Sequence, residues 1–203
     1  MFLFKPKKPV LNEDRSETQD NVDLEIINKM NQEFAVSLDL NETLKTALQI
    51  IIARLEAQAA NVFLINNKIK KFECIASINQ DHLEEYKLEL TDGVMAKAVD
   101  QRKCIRVGNV RKDVREIAEF YFDLDNKTNF TTYSVLCAPL IAANDCIGVI
   151  HCLNKKTNEK LFIEDDRKLL ELLSTPAALA IRNAKMAQEM VCLLYTSPSP
   201  RDL

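Results

Sequence analysis

Two apolar runs joined by a short polar turn constrain the fold of this chain more than any other feature. The runs are Val135 to Ile141 and Cys146 to Leu153, and Ala143-Asn144-Asp145 lies between them. Short apolar runs bounded by turn residues are typical of buried strands, and Asn and Asp tolerate the backbone of a tight turn. The sequence therefore predicts a hairpin of two central strands in a sheet.

The segments around this hairpin alternate between a helical and a strand period. Val22 to Leu38 repeats apolar residues at three- and four-residue steps, and a second helix begins at the capping-box pair Asp39 and Glu42. We expect a helix and a mobile loop in Val110 to Asn129 and a final helix from Ile163. The other expected elements are the strands Val62–Ile65, Ile69–Ser77, Tyr86–Leu90 and Cys104–Val107, and a short helix Val94–Val99. This order predicts an α+β fold: a six-stranded antiparallel sheet with the N- and C-terminal helices packed on one face.

Composition changes at both ends of the predicted domain. Residues 1–21 are rich in charge and proline and predict a flexible lead-in, and residues 22–191 form the domain. Residues 192–203, from Cys192 to Leu203, continue no helical period. We interpret them as a read-through tail that is not native, the alternative being a genuine disordered tail.

Several classes of function are excluded by composition. The chain has three glycines, which do not cluster, so it lacks the glycine-rich loops that cradle phosphates in ATP- and NAD-binding proteins. A net charge of −3 does not indicate binding to nucleic acid, which normally requires a basic domain or a basic stripe. No apolar run reaches the roughly 20 residues that span a bilayer, and no secretory signal is present, so we expect a cytoplasmic protein.

Histidine and cysteine give little support for catalysis or for a metal site. His82 lies in a polar loop. His151 alternates with Val149 and Leu153 on a predicted central strand, and we interpret it as a hydrogen-bonded residue of the core or of a pocket wall. No CxxC pair is present. The cysteines that fall in strand-like apolar runs are interpreted as reduced, buried residues of a cytosolic protein. They are Cys74, Cys104, Cys137, Cys146 and Cys152.

The order of elements and several local motifs resemble those of a GAF domain. The resemblance covers residues 24–191. It lies in the segments Ala60–Leu64, Thr91–Val94, Thr132–Leu140 (Thr-Tyr-Ser-Val-Leu-Cys-Ala-Pro-Leu), Ile147–Ile150 and Ala178–Ala184. It implies a regulatory domain without a cofactor or enzymatic activity, which binds a small molecule and controls an output domain C-terminal to it.

One motif resembles that of GAF domains which bind cyclic nucleotides. This chain has Asn154-Lys155, then Phe162, then Asp166, whereas Arg167 stands where the family has Glu. In the family the Lys and the Asp form a salt bridge that braces the fold without contacting the ligand. The resemblance therefore implies an ion pair between Lys155 and Asp166 and makes a cyclic nucleotide a candidate ligand.

The same resemblance implies where a ligand binds. We expect Ser77 and Cys152 on the sheet floor, with Val114, Ala118, Asn129 and Thr132 near the lid. Solid filling of that region by side chains such as Phe120 and Phe130 would instead indicate a dimerisation module.

Two alternatives within the family involve cysteine chemistry. Some GAF domains hold a bilin through a cysteine that precedes a histidine, but here the order is His151-Cys152. Stand-alone GAF proteins that reduce free methionine sulfoxide use reactive cysteines on pocket loops, whereas these cysteines fall mainly on strands.

We also expect a homodimer through the terminal helices. Those helices carry more apolar residues than one sheet face can cover: Ile26 and Met30 on the first, and Ile181, Met186 and Met190 on the last.

Overall fold

Six strands form one antiparallel sheet in the computed structural model, which describes residues 25, 28–29, 32, 40–80, 82–91 and 93–196. Their order across the sheet is β3-β2-β1-β6-β5-β4. The strands are β1 Ala57–Asn66, β2 Lys71–Ile78, β3 Lys87–Glu89, β4 Ile105–Val107, β5 Val135–Ala142 and β6 Asp145–Lys155. The predicted sheet is confirmed, with β1 and β6 at its centre.

In the described ranges from residue 40 onward, four α-helices and two short 3₁₀ helices accompany the sheet. The α-helices are α1 Leu40–Leu55, α2 Gly93–Gln101, α3 Arg115–Thr128 and α4 Glu164–Thr196. The 3₁₀ helices are Leu83–Glu85 and Val110–Lys112. The predicted N-terminal helix Val22–Leu38 falls largely outside the described residues; Glu25, Asn28, Lys29 and Gln32 are helical. The lead-in 1–21 and residues 197–203 also fall outside them.

Each face of the sheet carries its own apolar core. Because side chains alternate along a strand, Val62 and Leu64 of β1 pack against α1 and α4, and Phe63 between them packs toward α2 and α3. We call these the α4 face and the α3 face. The α4 face is thus covered by the helix that precedes the sheet and the helix that follows it.

Two segments differ from the sequence-based expectation. Val110 to Asn129 contains a 3₁₀ turn and one regular helix rather than a helix and a mobile loop. Ile117, Tyr121 and Leu124 of α3 recur at helical spacing and are buried, which explains its regularity.

The last helix is longer than expected. Although Pro176 has no N–H to donate to the carbonyl of Leu172, α4 continues through it, because Ala177, Ala178 and Ile181 are anchored in the core. The helix also continues past Cys192 to Thr196, so the predicted break in helical structure at Cys192 is wrong.

Candidate functional site

The α3 face carries a group of buried polar side chains at the centre of the sheet. Asn61 of β1 is paired in register with His151 of β6 on one side and with Ser77 of β2 on the other. Asn61 Nδ2 donates to Gln80 Oε1 at 2.6 Å, and Ser77 Oγ donates to Asn61 Oδ1 at 2.8 Å. These four residues, Asn61, Ser77, Gln80 and His151, are called the polar floor below.

Helix α3 covers the polar floor with Tyr121. The Tyr121 hydroxyl and His151 Nε2 are 2.7 Å apart, and the two rings stack with centroids 5.8 Å apart. Both side chains are fully buried. Burial lowers the pKa of His151 to about 3 and raises the pKa of Tyr121. Both groups are therefore neutral at physiological pH, and a ligand that contacts His151 on this side must displace Tyr121.

Among the residues that the structure describes, two nitrogen atoms of the polar floor find no hydrogen-bond partner. They are Gln80 Nε2, which carries two N–H donors, and His151 Nδ1. A buried polar atom without a partner costs about 1–3 kcal/mol, and native proteins have few of them. The arrangement thus offers hydrogen bonds to the polar edge of a small molecule or to ordered water.

A buried carboxylate fixes the C-terminal end of α3. Asp125 accepts hydrogen bonds from the backbone N–H of Thr132 at 2.7 Å and from its hydroxyl at 2.6 Å. Arg111 forms an ion pair with the same carboxylate. These contacts join α3 to the segment that enters β5.

An open cavity of about 440 Å³ lies between α3 and the edge strand β3. Leu88, Phe120 and Leu124 form its apolar wall. Its polar lining consists of Glu89, Glu116, Glu119 and Asp123 with Lys87 and Lys127. Four carboxylates against two ammonium groups disfavour an anionic ligand group at this opening. Deeper under α3, Phe63, Phe72 and Tyr121 fill the space between the helix and the sheet, and Phe120 and Phe130 pack partly buried against the same core. A ligand in this space therefore has to displace side chains such as Tyr121.

The ion pair implied by the sequence motif is present on the other side of β6. Lys155 Nζ lies 2.8 Å from Asp166 Oδ1, and both side chains are at least nine-tenths buried. Asp166 Oδ2 also accepts the N–H of Ile163 at 2.8 Å at the start of α4. Phe162 is buried in the same core. The pair therefore ties the end of the central strand to α4.

Asn154 has an equally specific structural role. It has a left-handed backbone, with φ 57°, and its Oδ1 accepts the N–H of Tyr133 at 2.7 Å. Its Nδ2 donates to the carbonyl of Thr131 at 2.7 Å and to Gln58 Oε1 at 2.9 Å. Asn154 thus organises the loop before β5.

Arg167, which replaces the family's Glu, takes no part in this arrangement. Its guanidinium forms ion pairs with Glu164 and Glu171 on the surface of α4, both at 2.5 Å.

The structure separates the residues that were predicted to line the ligand site. Ser77 belongs to the polar floor, and Val114, Ala118 and Asn129 lie on α3 or at its ends. Thr132 is buried, and both its hydroxyl and its N–H are bound to Asp125. The placement of Cys152 with Ser77 is wrong, because Cys152 lies on the α4 face, among core residues. Whether the other five contact a ligand remains a prediction.

Sequence analysis missed most of the polar floor and its cover. Asn61, Gln80 and Tyr121 were not singled out, and His151 was interpreted only as a core or pocket-wall residue. The available signal was a polar residue on the buried face of each central strand: Asn61 in β1 and His151 in β6.

Thiol reactivity is disfavoured at the cysteines whose pKa is shifted. Burial raises the pKa of Cys104 to about 12 and also raises the pKa of Cys137, Cys146 and Cys152. The reactive species is the thiolate, so these residues resemble core cysteines. In the part of the chain that the structure describes, no cluster of metal-ligating side chains is found. Likewise, none of the described helices is long and apolar enough to span a membrane.

Comparison with solved structures finds the same architecture in other proteins. The GAF domain of an Acinetobacter phosphoenolpyruvate-protein phosphotransferase superimposes with a TM-score of 0.67 at 17% identity, over 82% of this chain and 96% of that one. The free methionine-R-sulfoxide reductase of Neisseria meningitidis, solved with its substrate, has a TM-score of 0.65 at 16% identity, over 83% of this chain and 93% of that one. At these identities the likeness shows the fold alone.

The sequence comparison identifies the family. The family model for the GAF domain matches residues 37–182, and the chain therefore belongs to the GAF domain family. A probable 3',5'-cyclic phosphodiesterase of Caenorhabditis elegans is 24% identical over 142 residues, which are 64% of this chain and 19% of that protein. The chain spans a fifth or less of the length of the curated relatives it matches.

Proposed function

We propose that this chain is a regulatory GAF domain that senses a small molecule in the layer between α3 and the sheet, and that it is not an enzyme. The observation that carries this proposal is the polar floor with its two unpartnered nitrogen atoms, Gln80 Nε2 and His151 Nδ1. A domain that kept this layer only for stability would gain by replacing such atoms with apolar groups. A ligand that forms hydrogen bonds with Gln80 Nε2 and His151 Nδ1 accounts for the presence of these polar atoms in the layer.

Displacement of Tyr121 provides the link from ligand to signal. Tyr121 sits on α3, stacks on the His151 ring and is bonded to its Nε2, so a ligand that binds Gln80 Nε2 or His151 Nδ1 and pushes the Tyr121 ring aside moves α3 relative to the sheet. The relatives' names make cyclic nucleotides the first class to test. The acidic opening between α3 and β3 disfavours a phosphate there, so the uncharged nucleosides are tested alongside.

Ligand binding is expected to raise the unfolding temperature of the whole chain. At 100 times its dissociation constant a ligand adds about 2.7 kcal/mol to the stability of the folded state. We expect this with at least one of cyclic AMP, cyclic GMP, adenosine and guanosine in a thermal-shift assay. Gln80→Met should abolish the shift because it removes the free donor.

The control is Gln101→Met, the same substitution at an exposed position at the end of α2, which should leave the shift intact. No response to any of the four compounds excludes this ligand class. An equal response of Gln80→Met and the parent chain places the ligand elsewhere.

We further propose that the domain forms a homodimer through α4 and that the dimer transmits the signal to an output domain. One correction applies to the predicted contact residues: Ile181 is fully buried in its own core and faces no partner, and Ile26 and Met30 lie outside the described residues. A different stripe supports the proposal. Leu172, Leu179 and Met186 are spaced by seven residues and are each about half exposed, and Met190 is more exposed still. A seven-residue apolar repeat is typical of helices that pair.

A charge in this stripe should dissociate the dimer. We expect Leu179→Glu to convert the parent dimer into a monomer, measured by light scattering at high micromolar concentration. Leu161→Glu serves as the control because Leu161 is similarly exposed, at 41% against 47%, but lies outside α4. A parent chain that stays monomeric with and without ligand contradicts the dimer proposal and leaves the ligand proposal standing.

The absence of catalysis and the cytoplasmic location belong to the same proposal. A sulfoxide-reducing activity needs reactive thiolates, and the raised pKa values of Cys104, Cys137, Cys146 and Cys152 argue against them. Among the described residues, Cys104, Cys137, Cys146 and Cys152 form no disulfide, which is consistent with a reducing compartment.

A further inference from the structure

A second cavity, far from the polar floor, lies at the end of the sheet where the β1–β2 and β5–β6 turns meet. Its volume is about 410 Å³, and it opens between these turns and α4. Arg102, Arg182 and Lys185 line it together with one carboxylate, Asp145. We call it the basic groove.

Among the described residues, the charge of the basic groove is only partly balanced: Asp145 lines it, and the Glu73 carboxylate interacts electrostatically with Lys185. In the described part of the chain, no carboxylate forms a salt bridge with Arg102, Arg182 or Lys185. Arg102 instead donates to the carbonyl of Asn144 at 2.9 Å, which holds its guanidinium beside the opening. Three cations against one carboxylate leave a net charge of +2. Ile147 adds a partly exposed apolar surface. The groove therefore matches an acidic peptide segment.

We propose that the basic groove binds residues 12–23 of this same chain. This segment, Asn-Glu-Asp-Arg-Ser-Glu-Thr-Gln-Asp-Asn-Val-Asp, lies outside the described residues and carries five carboxylates against one arginine. Its net charge of −4 is opposite to that of the groove. Ion pairs with the three cations hold it there.

The path of the chain brings this segment to the correct end of the sheet. Helix α1 ends at Leu55, next to Glu56. The Glu56 carboxylate lies 3.8 Å from Nζ of Lys155, the last residue of β6, so α1 ends at the same end of the sheet as β6. Asp145 begins β6, so the basic groove is at the opposite end, where α1 begins at Leu40. Glu25, Asn28, Lys29 and Gln32, within the sixteen residues between Asp23 and Leu40, are helical, and a helix of sixteen residues spans about 24 Å. Residues 12–23 add up to about 40 Å when extended, so the segment can lie along a groove at this end of the sheet.

Zero-length crosslinking of the full chain tests this proposal. A carbodiimide joins an ammonium to a carboxylate only when the two are in contact, so we expect Lys185 to be joined to carboxylates of residues 13–23. Neutralising the two neighbouring cations with Arg102→Gln and Arg182→Gln leaves Lys185 in place and should lower this crosslink several-fold. The matched control, Lys112→Gln with Lys127→Gln, removes two cations before and on α3, on the opposite face of the sheet, and should leave the crosslink unchanged. At 1 M salt, where the screening length is about 3 Å, the crosslink should also fall.

Mixing isotope-labelled and unlabelled chains identifies the occupant. Crosslinks confined to one chain support the proposal. Crosslinks of Lys185 mainly between labelled and unlabelled chains overturn it in favour of a second copy. A Lys185 crosslink that is absent, or that is unchanged in Arg102→Gln with Arg182→Gln, overturns it outright. None of these outcomes depends on a ligand at the polar floor.

Discussion

Replacing Gly148 with alanine is expected to cost about 4 kcal/mol or more of unfolding free energy, in the exceptional range for a single substitution. Gly148 lies in the central strand β6, paired with Leu64 of β1 and Leu140 of β5. A Cβ atom at this position would be 2.1 Å from the carbonyl oxygen of Phe63 and 3.0 Å from Leu64 Cα. Both are backbone atoms of β1, so no side chain can turn away to make room. The substitution must separate the two central strands locally.

The matched control is Gly108→Ala. A Cβ there would come no closer than 3.3 Å to Leu161 Cδ2, the end of a flexible side chain, so the cost should stay within about 0.5 kcal/mol. Urea unfolding followed by circular dichroism measures both variants. Since domains are stable by only about 5–15 kcal/mol, loss of the folded state in Gly148→Ala agrees with the expectation. A loss below about 1 kcal/mol contradicts the close approach of the strands.

Local patterns were sufficient to predict the architecture, because each element has its own period and its own end signals. The β5–β6 hairpin shows this best. The predicted strand Cys146–Leu153 lies inside the observed Asp145–Lys155, and Ala143 has the left-handed backbone of a tight turn, with φ 54°. Apolar alternation and turn residues carry this information within about ten residues of sequence.

The candidate site was harder to predict because it depends on the register between distant strands. His151 and Cys152 are neighbours on β6 and therefore lie on opposite faces. Which of them shares a face with Ser77 is decided by Asn61, which pairs with Ser77 and with His151. Nothing local to Ser77 or Cys152 encodes that register, and a shift by one residue would have exchanged the two faces.

The unpartnered atoms Gln80 Nε2 and His151 Nδ1 could not be predicted from the sequence for a related reason. Whether Gln80 Nε2 lacks a partner depends on the contacts of one atom, after Asn61 has taken the other end of the amide. Likewise, Tyr121 became part of the site only because α3 is one regular helix that places it over His151. Sequence patterns predict which residues are buried, but they do not predict which buried polar atoms stay unpaired.

Replacing only one of the ion-paired residues Lys155 and Asp166 is expected to destabilise the protein more than replacing both. Lys155→Met leaves the Asp166 carboxylate buried, with only the N–H of Ile163 as a partner at 2.8 Å. Asp166→Asn leaves the Lys155 ammonium with Glu56 at 3.8 Å, a residue that is mostly exposed. Loss of one partner of a buried pair costs about 3–5 kcal/mol. In the double variant no buried charge is left, and the Asn side chain can still accept the Ile163 N–H.

A double-mutant cycle in urea measures this coupling directly, and the chain contains its own reference pair. Lys168 and Asp165 lie 3.8 Å apart on the surface of α4 with most of both side chains exposed, so Lys168→Met and Asp165→Asn should show a coupling between 0 and about 1 kcal/mol. The same substitutions at Lys155 and Asp166 should show a coupling well above that value. Equal coupling in the two cycles would mean that the buried pair does not join β6 to α4. The ion pair would then be a remnant of the family motif, in agreement with the Arg167 that already departs from it.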